Sequence, residues 1–151
     1  MQLEHLLTFT VVIGERTPIG TGPYGDRAIA SVAGGTFEGP GLRGTIEPPG
    51  ADWVLVDTNR RGRIDVRLIF RTDDGANIYV TYTGVIELNE AIAKGLAGGG
   101  ETQFGDNYFV TQLRFETGAP RYAHLNYVVA VGEGRMLPGH VQYRVFRCAP
   151  G

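Results

Sequence analysis

The chain has 151 residues, a net charge of −2 and 23 glycines, about twice the usual glycine share. That length fits one domain, residues 1–151, with room for a sizeable core, and a hydrophobic share of 42 % argues against disorder. The near-neutral balance gives no footprint for nucleic acid, and the lone Cys148 excludes a disulfide framework and a multi-cysteine zinc site.

So much glycine also disfavours helical bundles, because each glycine inside a helix costs about 1 kcal/mol relative to alanine. Turn-rich β structure tolerates it. Residues 6–13 are rich in β-formers and stop at Gly14. Pro18, Gly20, Gly22 and Pro23 predict a loop over 17–25, and a strand over 27–33 leads to Gly34 and Gly35. Gly39-Pro40-Gly41 places a bend inside 36–44. Pro48-Pro49-Gly50 reads as a turn, residues 51–56 as a strand and 57–62 as its hairpin loop.

The alternation then becomes clean. Ile64, Val66, Leu68 and Phe70 share one face of a strand; Arg63, Asp65, Arg67 and Arg71 share the other. Asp73-Asp74-Gly75 is a hairpin turn, and residues 77–83 return as the partner strand. One short helix is predicted, with Asn89 as N-cap, Glu90 in the first turn, Lys94 in the last and Gly95 just past the end. Gly98-Gly99-Gly100 and the polar stretch to Asn107 read as a movable flap or an ordinary surface crossover. Residues 109–117 and 122–131 read as a strand pair across Gly118-Ala119-Pro120, and 141–148 as the last strand. About nine short strands and one helix indicate an all-β fold, an antiparallel barrel or sandwich. A closed barrel is preferred because it leaves no edge to protect.

Several strings carry a resemblance. Gly34-Gly35-Thr36-Phe37-Glu38-Gly39-Pro40 and Gly50-Ala51-Asp52-Trp53 form a first group. Ile64-Asp65-Val66-Arg67 and the run from Arg71 to Val80 form a second. Tyr108-Phe109, Phe115-Glu116-Thr117-Gly118 and Tyr122-Ala123-His124-Leu125-Asn126 form a third, and Val131-Gly132-Glu133-Gly134 leads to the closing strands. In this order, over nearly the whole chain, they resemble domain-of-unknown-function family 3237. The resemblance implies a calycin-like (lipocalin-like) β-barrel with one short helix and says little about activity. His124 stands where the family pattern carries tryptophan, and Leu113 where it carries proline.

Alternate residues of a small barrel point inward, and polar residues alternate on several of these strands. They form either solvated outer faces or the wall of a ligand cavity. Asp65, Arg71, Glu116 and Asn126 fall inside the family strings, as does His124, which a carboxylate such as Glu116 would orient as a general base. Trp53, the only tryptophan, suits a cavity wall or a plug at one barrel end. Asp73-Asp74 suits a turn better than paired catalysis, since adjacent strand residues face opposite ways. His5, His124 and His140 lack metal-ligand spacing, so no metal is expected. No nucleophile elbow or phosphate loop occurs.

Three readings follow. The first is a cofactor-free isomerase, cyclase or lyase that moves protons on a small aromatic or polyketide-like molecule in the barrel cavity. Glu116, His124 or Asp65 would act as base, with Arg71, Tyr79, Tyr122 or Asn126 at the oxyanion and Trp53, Phe37 and Phe109 against the rings. The second is a non-catalytic barrel that binds a small apolar ligand. The third is a homo-oligomer built on exposed strands. The start lacks a secretory signal and no apolar run is long enough for a membrane span, so a cytoplasmic location is expected.

Overall fold

The computed structural model describes all residues, 1–151. The strands are β1 (Gln2–Gly22), β2 (Gly25–Gly39), β3 (Leu42–Asp52), β4 (Leu55–Val56), β5 (Arg61–Thr72), β6 (Asn77–Glu87), β7 (Phe109–Glu116), β8 (Ala130–Leu137) and β9 (His140–Ala149). They form one antiparallel sheet in the order β1-β9-β8-β7-β6-β5-β3-β2-β4, and β2 also pairs with β1. That last pairing turns the sheet back on itself, giving the expected barrel-like, all-β fold with one short helix.

The alternation in β5 places Ile64, Val66, Leu68 and Phe70 inside, each at most 4 % exposed. Registers carry this inward set across the sheet: Val66 pairs with Tyr82, Tyr82 with Leu113, and Leu113 with Ala130. Aromatic rings fill the interior. Phe37 stacks on Phe70 with centroids 4.3 Å apart, Phe70 meets Phe9 at 5.3 Å, and Phe9 stacks on Tyr143 at 4.9 Å. Tyr82 and Phe109 both meet Tyr143 edge-on, at 5.2 and 5.4 Å. Each such pair adds about 0.5–1.5 kcal/mol beyond burial.

Local rules explain the departures from expectation. Residues 17–25 do not form a loop. β1 continues past its pairing with β9 as an arm held only by β2, from Arg16 with Ala30 to Gly22 with Gly25, while β2 there also pairs with the end of β3 and with β4; Pro18 and Gly20 are absorbed at a register shift. Pro48-Pro49-Gly50 does not turn the chain either. It is an irregularity inside β3, between the Glu47–Ile69 and Ala51–Arg67 pairs, where prolines that cannot donate to a ladder are tolerated. Of the predicted strand over 51–56, only Leu55–Val56 forms a separate element. Gly35 packs close, with φ +149° and a hypothetical Cβ only 2.0 Å from the Thr10 carbonyl oxygen, so this position requires glycine.

The predicted strand over 122–131 is mostly a 3-10 helix, Pro120–Tyr127. Pro120 sits at its start, where the missing N–H costs nothing. Its Tyr122 and Leu125 cover the core at the end of β7. At the opposite end lies helix α1 (Glu90–Leu96), with Asn89 capping the Ile92 amide as expected. Gly95 falls inside α1 against Met136, and Gly98, at φ +83°, takes the left-handed position beyond it. The stretch expected as a flap is tied down. Thr102 exchanges two bonds with Met136, both 2.9 Å, and Phe104 lies against the guanidiniums of Arg135 and Arg144.

Candidate functional site

The side chain of Asp52 is on the inward face of β3, since Asp52 pairs with inward-facing Val66. It is half-buried and accepts one hydrogen bond, from the Asp65 backbone amide at 3.1 Å. Burial raises its pKa to about 6, and the Asp65 charge adds to the rise while the amide opposes it. Tyr82 and Tyr143 are its interior neighbours. Burial, with the nearby Asp52 charge, raises both phenols above their ordinary range, so both stay protonated at neutral pH. The two hydroxyls share a side-chain hydrogen bond with each other. No buried side-chain polar atom of the protein lacks a partner. The interior thus presents one titratable carboxyl and a pair of protonated phenols among apolar rings.

The residues singled out by pattern lie elsewhere. Glu116, Asp65 and Arg71 are on the outward faces of β7 and β5, and His124 is on the exposed side of the 3-10 helix. None of the four faces the interior. Phe37 and Phe109 do face inward, as core. Trp53 lies on the outer wall, with the Arg67 guanidinium 5.4 Å from its ring centre, and plugs no barrel end. Tyr79 is 42 % exposed on the outer face. Tyr122 is buried, but its hydroxyl donates to Asp74 at 2.8 Å. Asn126 accepts from the Thr117 amide at 2.8 Å and donates to the Thr117 carbonyl at 3.0 Å, fixing the end of β7. Asp74 also accepts from Thr72 and from Arg121, so the Asp73-Asp74 pair belongs to a turn latched to the 3-10 helix.

Outside the barrel, the structure gathers Asp65, Tyr79 and Asn126 in a groove of about 870 Å³ over β5, β6 and β7. The groove exists because β7 pairs with β8 only from Val110 to Leu113. Beyond Leu113 the segment 126–129 stands beside β7 as a wall. Sequence reasoning missed Asp52, Tyr82 and Tyr143. The usable signal was the phase of β6: Ile78 and Val80 mark the inner face, and Tyr82 follows in step. No group of histidine, cysteine and acidic residues is arranged to hold a metal. No helix is long and apolar enough to cross a membrane.

Fold and site define a small barrel-like protein with an acid and two phenols in its interior. The chain belongs to the family described as "Protein of unknown function (DUF3237)", which matches residues 1–148. It is 33 % identical over 132 residues to UPF0311 protein RPA1785 of Rhodopseudomonas palustris, covering 87 % of this chain and 86 % of that one. A β-barrel-like protein of Acinetobacter baumannii AYE superposes with a TM-score of 0.82 at 38 % identity, over 97 % of this chain and 94 % of that chain. The fold is shared at 22 % identity, with a TM-score of 0.72, by a protein described as an enzyme from Penicillium herquei, over 96 % of this chain and 93 % of that chain.

Proposed function

We propose that the protein is an enzyme that moves protons on a small aromatic or polyketide-like molecule, as an isomerase, cyclase or lyase without a cofactor. Asp52 is the base and Tyr82 and Tyr143 are the oxyanion donors. The observation that carries this reading is a carboxyl with a pKa near 6 beside a pair of buried, protonated phenols. Above that pKa the carboxylate takes a proton from an acidic C–H or O–H of the substrate. The phenols donate to the oxygen on which charge develops, and the proton returns to the rearranged product. The low-dielectric rings around the site strengthen those bonds. A simple carrier would gain from a neutral residue at position 52, so the carboxylate favours catalysis over plain binding. Likeness in fold to a protein described as an enzyme adds support.

The test is hydrogen–deuterium exchange of an aryl ketone, phenylacetone, followed by NMR in deuterated buffer. The wild-type protein should accelerate exchange with a pH midpoint near 6, and Asp52→Asn should return it to the buffer rate. Equal rates for the two proteins would remove Asp52 as the base.

A further inference from the structure

The outer groove has a chemistry separate from the interior. Register places Arg67 opposite Thr81 and Thr81 opposite Arg114, so two guanidiniums flank one hydroxyl in a single row across three strands. With strands about 4.8 Å apart, their Cα atoms lie roughly 10 Å from each other, a span that two long side chains can close on one small anion. Neither guanidinium is taken up by an ion pair, as is true of most arginines in the chain. Arg67 is set in place by the Trp53 ring beneath it. Asp65 also lines the groove but pairs with neither arginine, so two cations face one carboxylate. Glu116 lies one row further on, in a smaller cleft with Tyr79 and Arg114. Tyr127, 89 % exposed, and Val129, 69 % exposed, give the wall an apolar side.

We propose that this groove binds a small aromatic carboxylate, with its carboxylate between Arg67 and Arg114 over Thr81 and its ring against Tyr79 and the 126–129 wall. Guanidinium forks match carboxylate oxygens, and flat apolar side chains match a ring. Asp65 supplies an acceptor for an O–H or N–H substituent on the same ligand. This site stands whether or not the interior is catalytic.

The probe is phenylacetate, with phenylacetamide as its uncharged counterpart and inorganic phosphate as a ringless anion. Calorimetry measures affinity, and emission from Trp53, the sole tryptophan, reports the location. Phenylacetate should bind saturably and change Trp53 emission, while phenylacetamide and phosphate should bind at least several-fold more weakly. Arg67→Gln and Arg114→Gln should each weaken phenylacetate about tenfold or more, the scale of one lost charge-assisted bond. Arg16→Gln, on the exposed β1 arm, removes the same charge and should leave affinity unchanged. The proposal is overturned if phenylacetate does not bind, if phenylacetamide or phosphate binds equally well, or if either groove variant keeps full affinity.

Discussion

The Asp65 backbone amide donates to the Asp52 carboxylate at 3.1 Å, while the Asp65 side chain faces the opposite side of the sheet. One residue of β5 therefore braces the interior acid with its main chain and lines the outer groove with its side chain. The brace offsets only part of the burial cost, which is why the Asp52 pKa still rises to about 6.

This has a consequence for stability. An unfolded aspartate titrates near 3.8, so between pH 4 and 6 the folded protein holds a proton that the unfolded chain has lost. Stability contributed at Asp52 is therefore full below pH 4, falls as pH rises through 6, and stays low above. Asp52→Asn keeps an acceptor for the Asp65 amide and removes the charge. It should be more stable than wild type by about 2–3 kcal/mol at pH 7, and equal to it near pH 3.5. Urea unfolding at the two pH values checks both signs, and a variant less stable at pH 7 would contradict the raised pKa.

Tyr143→Phe separates a functional hydroxyl from a structural one. The ring stacks on Phe9 and meets Tyr82 and Phe109, and phenylalanine keeps all three contacts. The hydroxyl loses only its bond to Tyr82, so stability should fall by about 1 kcal/mol. Exchange of phenylacetone should nonetheless slow about tenfold or more, the usual scale for one oxyanion donor being larger still. A large loss of stability with unchanged exchange would assign the hydroxyl to folding.

The sequence made the β5–β6 hairpin and the all-β class readable because a period of two survives wherever one face is buried. It hid the 3-10 helix because Tyr122, Leu125 and Tyr127 suit a strand by composition, and only Pro120 signals a helical start. The β1 arm was hidden for the opposite reason: Pro18 and Gly20 are breakers that a strand paired on one side only absorbs at a register shift. Polar alternation on β5, β6 and β7 drew attention to the outer face. Asp52 was in a family string but had no alternating polar partners. Tyr82 and Tyr143 sat among valines and isoleucines, where a phenol reads as core. Closure of the sheet decides which of these meet, and no local pattern encodes it.

Asp74 ties the β5–β6 turn to the 3-10 helix through Thr72, Tyr122 and Arg121. The Thr72 hydroxyl, then the Tyr122 hydroxyl and Arg121, hold its carboxyl below the ordinary aspartate range. Stability from this latch is present at neutral pH and is lost as pH falls through the lowered pKa. Tyr122→Phe should raise the Asp74 pKa toward its usual value, lowering stability at neutral pH while reducing the further loss on acidification. Carbon-detected NMR titration of Asp74 in both proteins measures the shift, and an unmoved pKa would show that Tyr122 does not hold it.

The glycine excess can be tested position by position. At Gly35 a methyl group would meet the Thr10 carbonyl at 2.0 Å and the Ile46 side chain at 2.9 Å, on a backbone with φ +149°. The Thr10 carbonyl is strand backbone and cannot retreat without breaking the β1–β2 ladder, although the tip of Ile46 can turn aside. Gly35→Ala should therefore cost about 2 kcal/mol or more. At Gly22, on the tip of the arm, nothing lies within 4 Å of the added carbon. Gly22→Ala should change stability by less than about 0.5 kcal/mol. Denaturant midpoints of the two variants distinguish a glycine that the packing requires from one that only lies in a turn. Equal midpoints would mean that the close approach of β1 to β2 at Gly35 can relax at little cost.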